Sequence, residues 1–358
     1  MQFTKNSFSE EKKIKICFVA LNIFPLLSGD HHIKNIIGPD VHQLLIAEEL
    51  LKHNFEITFI TYGKKKNIIL NDFNIKTIGE FHDNSNLIYL ILKITNLFFA
   101  IIDVNSNIYF FAGGTPGLVS LACKLTQHKL IFHISSDAII DNNIIKNDIK
   151  EFKRHPLSID RIGNWLDIKI SDVLIVQNNF QKRALKNNFN KNSTLIKMPS
   201  QLVDPRKIVK AKPPIVLWVG SMAEVKQPEI FLRLAEAIPE AKFQIIGGYS
   251  GCQMLYDSIK NKSKDLSNLE FCGVIPLDKI NTYFGNASIL VNTSLFEGFP
   301  NSFIQAWMNY TPVISLNADP DEIICDYALG FHSKTFDQMV RDIKTLLNDE
   351  QLRLKIAP

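Results

Sequence analysis

The feature that most constrains this chain is a strand, turn, helix, strand unit near its C-terminal end. Ser288–Asn292 is an apolar run with the length and composition of a buried parallel strand. Gly298 and Pro300 then bend the chain. From Asn301 onward Phe303, Ile304, Trp307 and Met308 recur at helical spacing, so one helix face is buried. Pro312 ends that helix, because a proline disfavours helical backbone at the residue before it, and Pro312–Leu316 forms the next strand. The unit leaves one acid, Glu297, at the end of a parallel strand and beside the unpaired N–H groups of a helix start. Such N–H groups attract phosphate, and a fixed carboxylate accepts hydrogen bonds from sugar or ribose hydroxyls. Gln305, about one turn into the helix, reaches the same crevice.

At 358 residues the chain suits two domains, and its 46% hydrophobic content supplies a sizeable core for each. A formal charge of +4 is small for this length and implies no nucleic-acid partner. The five cysteines are scattered and form no C-x-x-C pair, which reads as buried free thiols in a reducing compartment. The polar segment Met1–Lys13 lacks the apolar centre of a signal peptide, so a cytoplasmic location is expected. Leu87–Ile102 is almost wholly apolar, but it is shorter than the ~20 residues that span a bilayer and carries Lys93 within it. It reads as a buried helix. An interfacial helix at the inner face of the membrane, helped by Lys64, Lys65 and Lys66, is the minor alternative.

The remaining strands fall into two series. Ile14–Ala20 is followed by a long loop, Asn22–Pro39, a helix from Asp40 to Lys52 and a strand at Glu56–Thr61, which makes a βαβ unit whose loop faces a ligand crevice. Further strands are predicted at 74–78, 107–112, 129–135, 172–177 and 193–197. Residues 200–214 hold three prolines without apolar periodicity and read as an interdomain linker. A second series opens at Ile215–Gly220 and continues at Lys242–Ile246, Leu269–Cys272 and Ser288–Asn292, each ending in glycine or small polar residues. Asn317–Glu322 follows the strand after the Glu297 turn, and its acids read as helix caps. His31, His32 and His42 have no second ligand pair at zinc spacing and read as loop histidines, so no metal site is expected. The 25 phenylalanines fall within strands and helices and read as core.

The run Glu297-Gly298-Phe299-Pro300-Asn301-Ser302, with Ala306-Trp307 and Pro312-Val313-Ile314 after it, resembles the signature of the group 1 glycosyltransferases, family 4. The likeness is strongest there, moderate from Val216 to Lys226, and weak in the N-terminal loop. It implies a GT-B fold: two doubly wound Rossmann-like α/β domains facing a central cleft. The first, residues 1–199, would be the acceptor side, and the second, residues 215–358, would bind nucleotide sugar. Members of the family usually continue past the helix at Phe336–Leu347 with one that crosses back to the first domain; here that element is expected to be absent.

The implied activity is transfer of a hexose from a nucleotide-sugar donor of UDP or GDP type to a hydroxyl of a saccharide or lipid-linked acceptor. It would proceed with retention, without metal or other cofactor, in cell-surface polysaccharide or glycolipid synthesis. By the same resemblance Glu297 orients the donor sugar, Lys226 holds the diphosphate and Asp137 stands near the reacting sugar. Gly220, Ser221, Gly247, Gly248, Val274, Gly298, Phe299, Pro300, Asn301 and Gln305 line the donor site, and Gly38 and Ser136 lie on the acceptor side. Two positions depart from the family. Ser221 stands where an arginine is usual, and a hydroxyl does not replace a bidentate guanidinium. Gln305 stands where a second acid is usual, though an amide still hydrogen-bonds a ribose diol. These departures keep a second reading open: a nucleotide-sugar-binding or scaffold protein of the same fold that has lost turnover.

Overall fold

A computed structural model describes residues 13–28, 38–64, 67–79, 87–113, 117–140, 159–200, 202–250 and 252–356. His31, His32, Lys65, Lys66 and the Gly114-Thr115-Pro116 turn lie outside these residues.

The N-terminal half builds one eight-stranded sheet. Its strands are β1 (Lys15–Val19), β2 (Glu56–Thr61), β3 (Asn67–Leu70), β4 (Phe73–Thr77), β5 (Ile108–Phe111), β6 (Lys129–His133), β7 (Val173–Val176) and β8 (Thr194–Leu195). They lie in the order β3-β4-β2-β1-β5-β6-β7-β8. All neighbours are parallel except β3, which pairs antiparallel with β4 and was not foreseen from the sequence. Its residues alternate between exposed and half-buried, as in an edge strand with one face toward solvent. The helices are α1 (Phe24–Ser28), α2 (Gly38–Lys52), α3 (Leu87–Val104), α4 (Leu118–Leu125), α5 (Ile159–Ile170) and α6 (Asn179–Phe189). The predicted loop Asn22–Pro39 thus contains one turn of helix, and the following helix opens two residues early, at Gly38.

The C-terminal half forms an all-parallel six-stranded sheet in the order β11-β10-β9-β12-β13-β14. These strands are β9 (Ile215–Val219), β10 (Lys242–Ile246), β11 (Leu269–Gly273), β12 (Ile289–Asn292), β13 (Val313–Ser315) and β14 (Gly330–His332). Its helices are α7 (Pro228–Ala237), α8 (Gln253–Lys262), α9 (Leu277–Asn286), α10 (Asn301–Met308), α11 (Ile323–Asp326), α12 (Phe336–Asn348) and α13 (Glu350–Ile356). Helix α13 lies beyond the last helix read from the sequence, and it packs Ile356 into the core of its own domain. Each sheet is covered by apolar clusters on both faces, which is why its strands read as continuous hydrophobic runs.

Residues 200–214 are not a free tether. Lys210 Nζ donates to Ala287 O at 2.7 Å, Asn309 O at 2.7 Å and Thr311 Oγ1 at 2.6 Å, and Ala211 N donates to Asn286 O. These bonds fasten the segment to the second domain. Burial, with Arg353 nearby, pulls the lysine down to about 8.

Both sheets change winding direction at their first strand, β1/β5 in one and β9/β12 in the other. Ligands of such sheets sit beyond the carboxyl ends of the strands at that switch point. The fold therefore aims two switch points at one cleft.

Candidate functional site

The loops after β9 and β12 meet at the second domain's switch point. After β9 the chain runs through Gly220 and Ser221 into a single 3₁₀ turn, Glu224–Lys226. After β12 it runs through Thr293 and Ser294 to Glu297. The two loops are tied together. Trp218 Nε1 donates to Thr293 Oγ1 (2.9 Å), Thr293 Oγ1 donates to Lys226 O (2.7 Å), and Leu295 N donates to Val225 O (2.8 Å). These bonds hold the backbone of one loop against the other.

At their tips Lys226 Nζ lies 2.6 Å from Glu297 Oε1. The same oxygen accepts from Ser294 Oγ at 2.6 Å and from Asn292 Nδ2 at 3.3 Å. The pair is largely shielded, with side chains 25% and 11% exposed. A carboxylate fixed by three donors keeps its position when a ligand competes for the lysine.

The pair stands in the wall of a cavity of about 420 Å³ between the domains, within the usual range for a small-molecule site. Among the described lining residues Lys226 is the one lysine or arginine, and no cation stands in for the arginine missing at Ser221. The cavity's apolar lining includes Val219, Ile246, Tyr249, Val274, Ile275, Leu277 and Ile280, and its polar lining in this domain includes Ser221, Lys226, Glu297, Asn301, Ser302 and Gln305. Helix α10 opens there without a side-chain cap, so its first N–H groups lack partners within the helix.

The first domain closes the opposite side with Gly38, Pro39, Val41, His42, Ser135, Ser136 and Gln177. Every residue expected from the sequence borders the cavity except Asp137. Its Oδ1 accepts from Asn178 Nδ2 (3.2 Å) and Gln181 Nε2 (2.9 Å), one layer behind the wall. The acid therefore orients amides that hold the domains together. Gly247 has a different reason for being glycine than close approach of a ligand: a Cβ there would stand 1.9 Å from the Gly220 carbonyl oxygen.

What the sequence did not reveal is how the Glu297 turn docks onto the first domain. Phe299 N donates to Gln177 Oε1 (2.9 Å), and Asn178 Nδ2 donates to Gly298 O (2.7 Å). A Cβ on Gly298 would meet Gln177 Oε1 at 2.7 Å and the Ser135 carbonyl oxygen at 2.9 Å. Asn301 Nδ2 donates to Gly38 O at 3.2 Å. Two of the three acids of Asn317–Glu322, Asp319 and Asp321, act as caps, at two different helices, and Glu322 makes no side-chain cap bond. Asp319 Oδ1 accepts from Ile324 N at 2.8 Å, in the first turn of α11. Asp321 reaches across the cleft and accepts from Asn179 N at 2.8 and 3.0 Å, at the start of α6. The polar end of the β7 run, Gln177-Asn178, was the only hint of this in the sequence.

His42 of the first domain's wall is a buried residue of α2, not the loop histidine expected, and it belongs to a buried polar group: Asp40 (4% exposed), His42 (2%), Gln43 and His133 (0%). The rings of His42 and His133 lie 4.4 Å apart, and Gln177 Nε2 is 3.2 Å from His133 Nε2. Burial lowers His42 to about 4. Burial, with His42 beside it, lowers His133 to about 3. Burial raises Asp40 to about 7. Asp40 Oδ2, both ring nitrogens of His42 and His133 Nδ1 have no hydrogen-bond partner among the described residues.

No curated protein matches the sequence. Among solved structures, sucrose-phosphate synthase from Thermosynechococcus elongatus is similar, with a TM-score of 0.73 at 13% identity over 96% of this chain and 92% of that one. WaaG, a glycosyltransferase involved in lipopolysaccharide biosynthesis, gives 0.70 at 13% identity over 96% and 93%. A mutant of S. aureus TarM, in complex with Fondaparinux, alpha-GlcNAc-glycerol and UDP, gives 0.69 at 14% identity over 96% and 94%. At these identities the likeness concerns the fold, which is GT-B throughout. Residues 213–349 match the model of the family described as "Glycosyl transferases group 1". The chain thus has the GT-B fold, and its residues 213–349 are similar to the group 1 glycosyl transferases.

Proposed function

We propose that the protein transfers a hexose from a nucleoside diphosphate sugar to a hydroxyl of a saccharide or lipid-linked acceptor, with retention of configuration. The observation that carries this reading is the Lys226–Glu297 pair at the β9/β12 switch point, set between an apolar slot and an uncapped helix start. The slot beside Tyr249 and Val274 suits the base, and Gln305 suits the ribose. Lys226 and the first turn of α10 suit the diphosphate. In the transfer, the bond from the anomeric carbon to the diphosphate oxygen breaks, and that oxygen gains charge which Lys226 and the helix N–H groups offset. The acceptor oxygen bonds to the anomeric carbon on the face the diphosphate leaves, and its proton passes to the departing phosphate oxygen. Protein, donor and acceptor suffice for this step; it draws on no metal or resident cofactor.

A lipid-linked acceptor is supported by the outer surface of the first domain. Helix α3 packs beside α4, and α4 beside α5. Together they expose Leu92, Phe99, Ile102, Leu125 and Trp165. Among the described residues no helix is long and apolar enough to cross a membrane. The exposed side chains, with Lys93 and Lys124 on the same helices, suit contact with a membrane surface. Cell-surface polysaccharide or glycolipid synthesis is the setting this contact favours.

The reading is tested by thermal melting of the purified chain against UDP, GDP, ADP and their sugars, with and without EDTA. A ligand that binds only the folded state raises Tm. One nucleotide should raise it, EDTA should leave the rise intact, and Glu297→Ala or Lys226→Ala should abolish it. No rise with any nucleotide would overturn the proposal. Binding without any transfer to saccharide or lipid acceptors would favour a nucleotide-sugar-binding protein, the reading that Ser221 and Gln305 keep open.

A further inference from the structure

Away from the cleft wall, three side chains of different chemistry converge at the carboxyl ends of β13 and β14. In the parallel register Ser315 lies beside His332, the last residue of β14. Asp319 follows β13 by four residues, and Cys325 lies on α11, which links the two strands. One ligand atom from each of Asp319, Cys325 and His332 lies within 4.8 Å of the other two. The carboxylate is already oriented, since Ile324 N donates to Asp319 Oδ1 (2.8 Å) and Cys325 N donates to Asp319 Oδ2 (3.3 Å). Backbone donors behind a carboxylate are the usual second layer of a metal site.

The geometry points to a binding site for a thiophilic divalent cation, Zn²⁺ above all, with Asp319, Cys325 and His332 as its protein ligands. A thiolate, an imidazole and a carboxylate are the three donor types zinc takes. Bonds of about 2.0–2.3 Å set ligand separations on the order of 3.3–3.7 Å in a tetrahedron, so the side chains need close by only about an ångström. The thiolate is the form that binds a metal, so the incoming ion displaces the Cys325 proton. Asp326 adds negative charge nearby, and Lys334 opposes it.

The site braces a segment with a task. Asp319 and Cys325 bracket Asp321 and Glu322, which both hold left-handed backbone at φ 55° and 58°, and Asp321 is the residue that reaches across to Asn179. An ion bound at both ends of this segment steadies the second domain's contact with α6. It takes no part in sugar transfer.

The experiment uses the full chain, reduced and stripped of metal, titrated with Co²⁺ and then with Zn²⁺. Cobalt should bind at one equivalent with a thiolate-to-metal charge-transfer band, and zinc should bleach it. Cys325→Ser should lose the band. Because Cys325 is exposed, that variant should melt like the parent when metal is absent. His332→Gln should keep the thiolate but bind at least about ten-fold more weakly. Zinc should raise Tm of the parent and of neither variant. No charge-transfer band would overturn the proposal. So would a band that survives in Cys325→Ser, which would place the ion on another cysteine, or equal affinity in His332→Gln.

Discussion

Glu297 and Lys226 stand as a closed pair before any donor arrives, and that bond sets how each acts. Lys226 is held off solvent by Glu297, and Glu297 is held by Ser294 and Asn292 as well. Groups that act as a unit are lost as a unit. Glu297→Gln and Lys226→Met should each lower kcat/KM by about 10²–10³, the range for one electrostatic contact to a developing charge. The double variant should fall little further. Additive losses in that cycle would show that the two act independently.

Asp40 offers a second prediction at this scale, and its sign follows from its raised value. From pH 3.8 to about 7 the unfolded chain has lost this proton and the folded chain keeps it, so the group's contribution to stability falls as pH rises through that window. His42 and His133, both lowered, act the other way: their contributions fall as pH drops below 6.5. Asp40→Asn should therefore remove the fall between pH 3.8 and about 7, leave the acid-side fall set by the two histidines, and gain about 1–3 kcal/mol at pH 8. Urea unfolding of the parent and variant across pH measures it.

At the scale of elements, two glycines in the cleft separate packing from docking. Gly247 lets two strand ends approach, since a Cβ there meets the Gly220 carbonyl at 1.9 Å, and backbone cannot yield. At Gly298 two of the obstacles are side-chain amides, of Gln177 and Gln181, and both belong to the other domain. Gly247→Ala should therefore cost about 1–3 kcal/mol or more of stability by urea unfolding. Gly298→Ala should cost less in stability and more in activity, because the Glu297 turn is displaced from the first domain. The reverse order would refute this assignment. At Gly298 the sequence marked the bend, and the close approach to the first domain came only from the structure. Gly247 was legible as a strand-end glycine, but its partner Gly220 lies 27 positions away in sequence on the neighbouring strand.

For the whole molecule, the domain contact around the cavity is polar. It rests on Gln177, Asn178, Asp321 and Asn301 bonding to backbone across the gap. Each such bond is worth about 0.5–1.5 kcal/mol net. A contact of this kind opens and closes readily, unlike a large apolar one. Asn178→Ala with Asp321→Ala should raise the radius of gyration in X-ray scattering, with each domain's own fold intact by circular dichroism. An unchanged scattering profile would place the contact's strength elsewhere.

The sequence by itself determined both sheets except the edge strands β3 and β14, together with the switch-point loops and the candidate residues Lys226 and Glu297. Buried parallel strands, glycine turns and helix stops are local patterns, and each leaves its mark within a few residues. Only the tertiary structure decided what Asp137, Gln177, Asn178 and Asp321 do, and that the tilted rings of His42 and His133 lie against each other. The same holds for Asp319, Cys325 and His332. These relations join residues far apart in the chain, across a cleft or between strands. Polar side chains of that kind carry no periodicity by which the sequence could announce their partners.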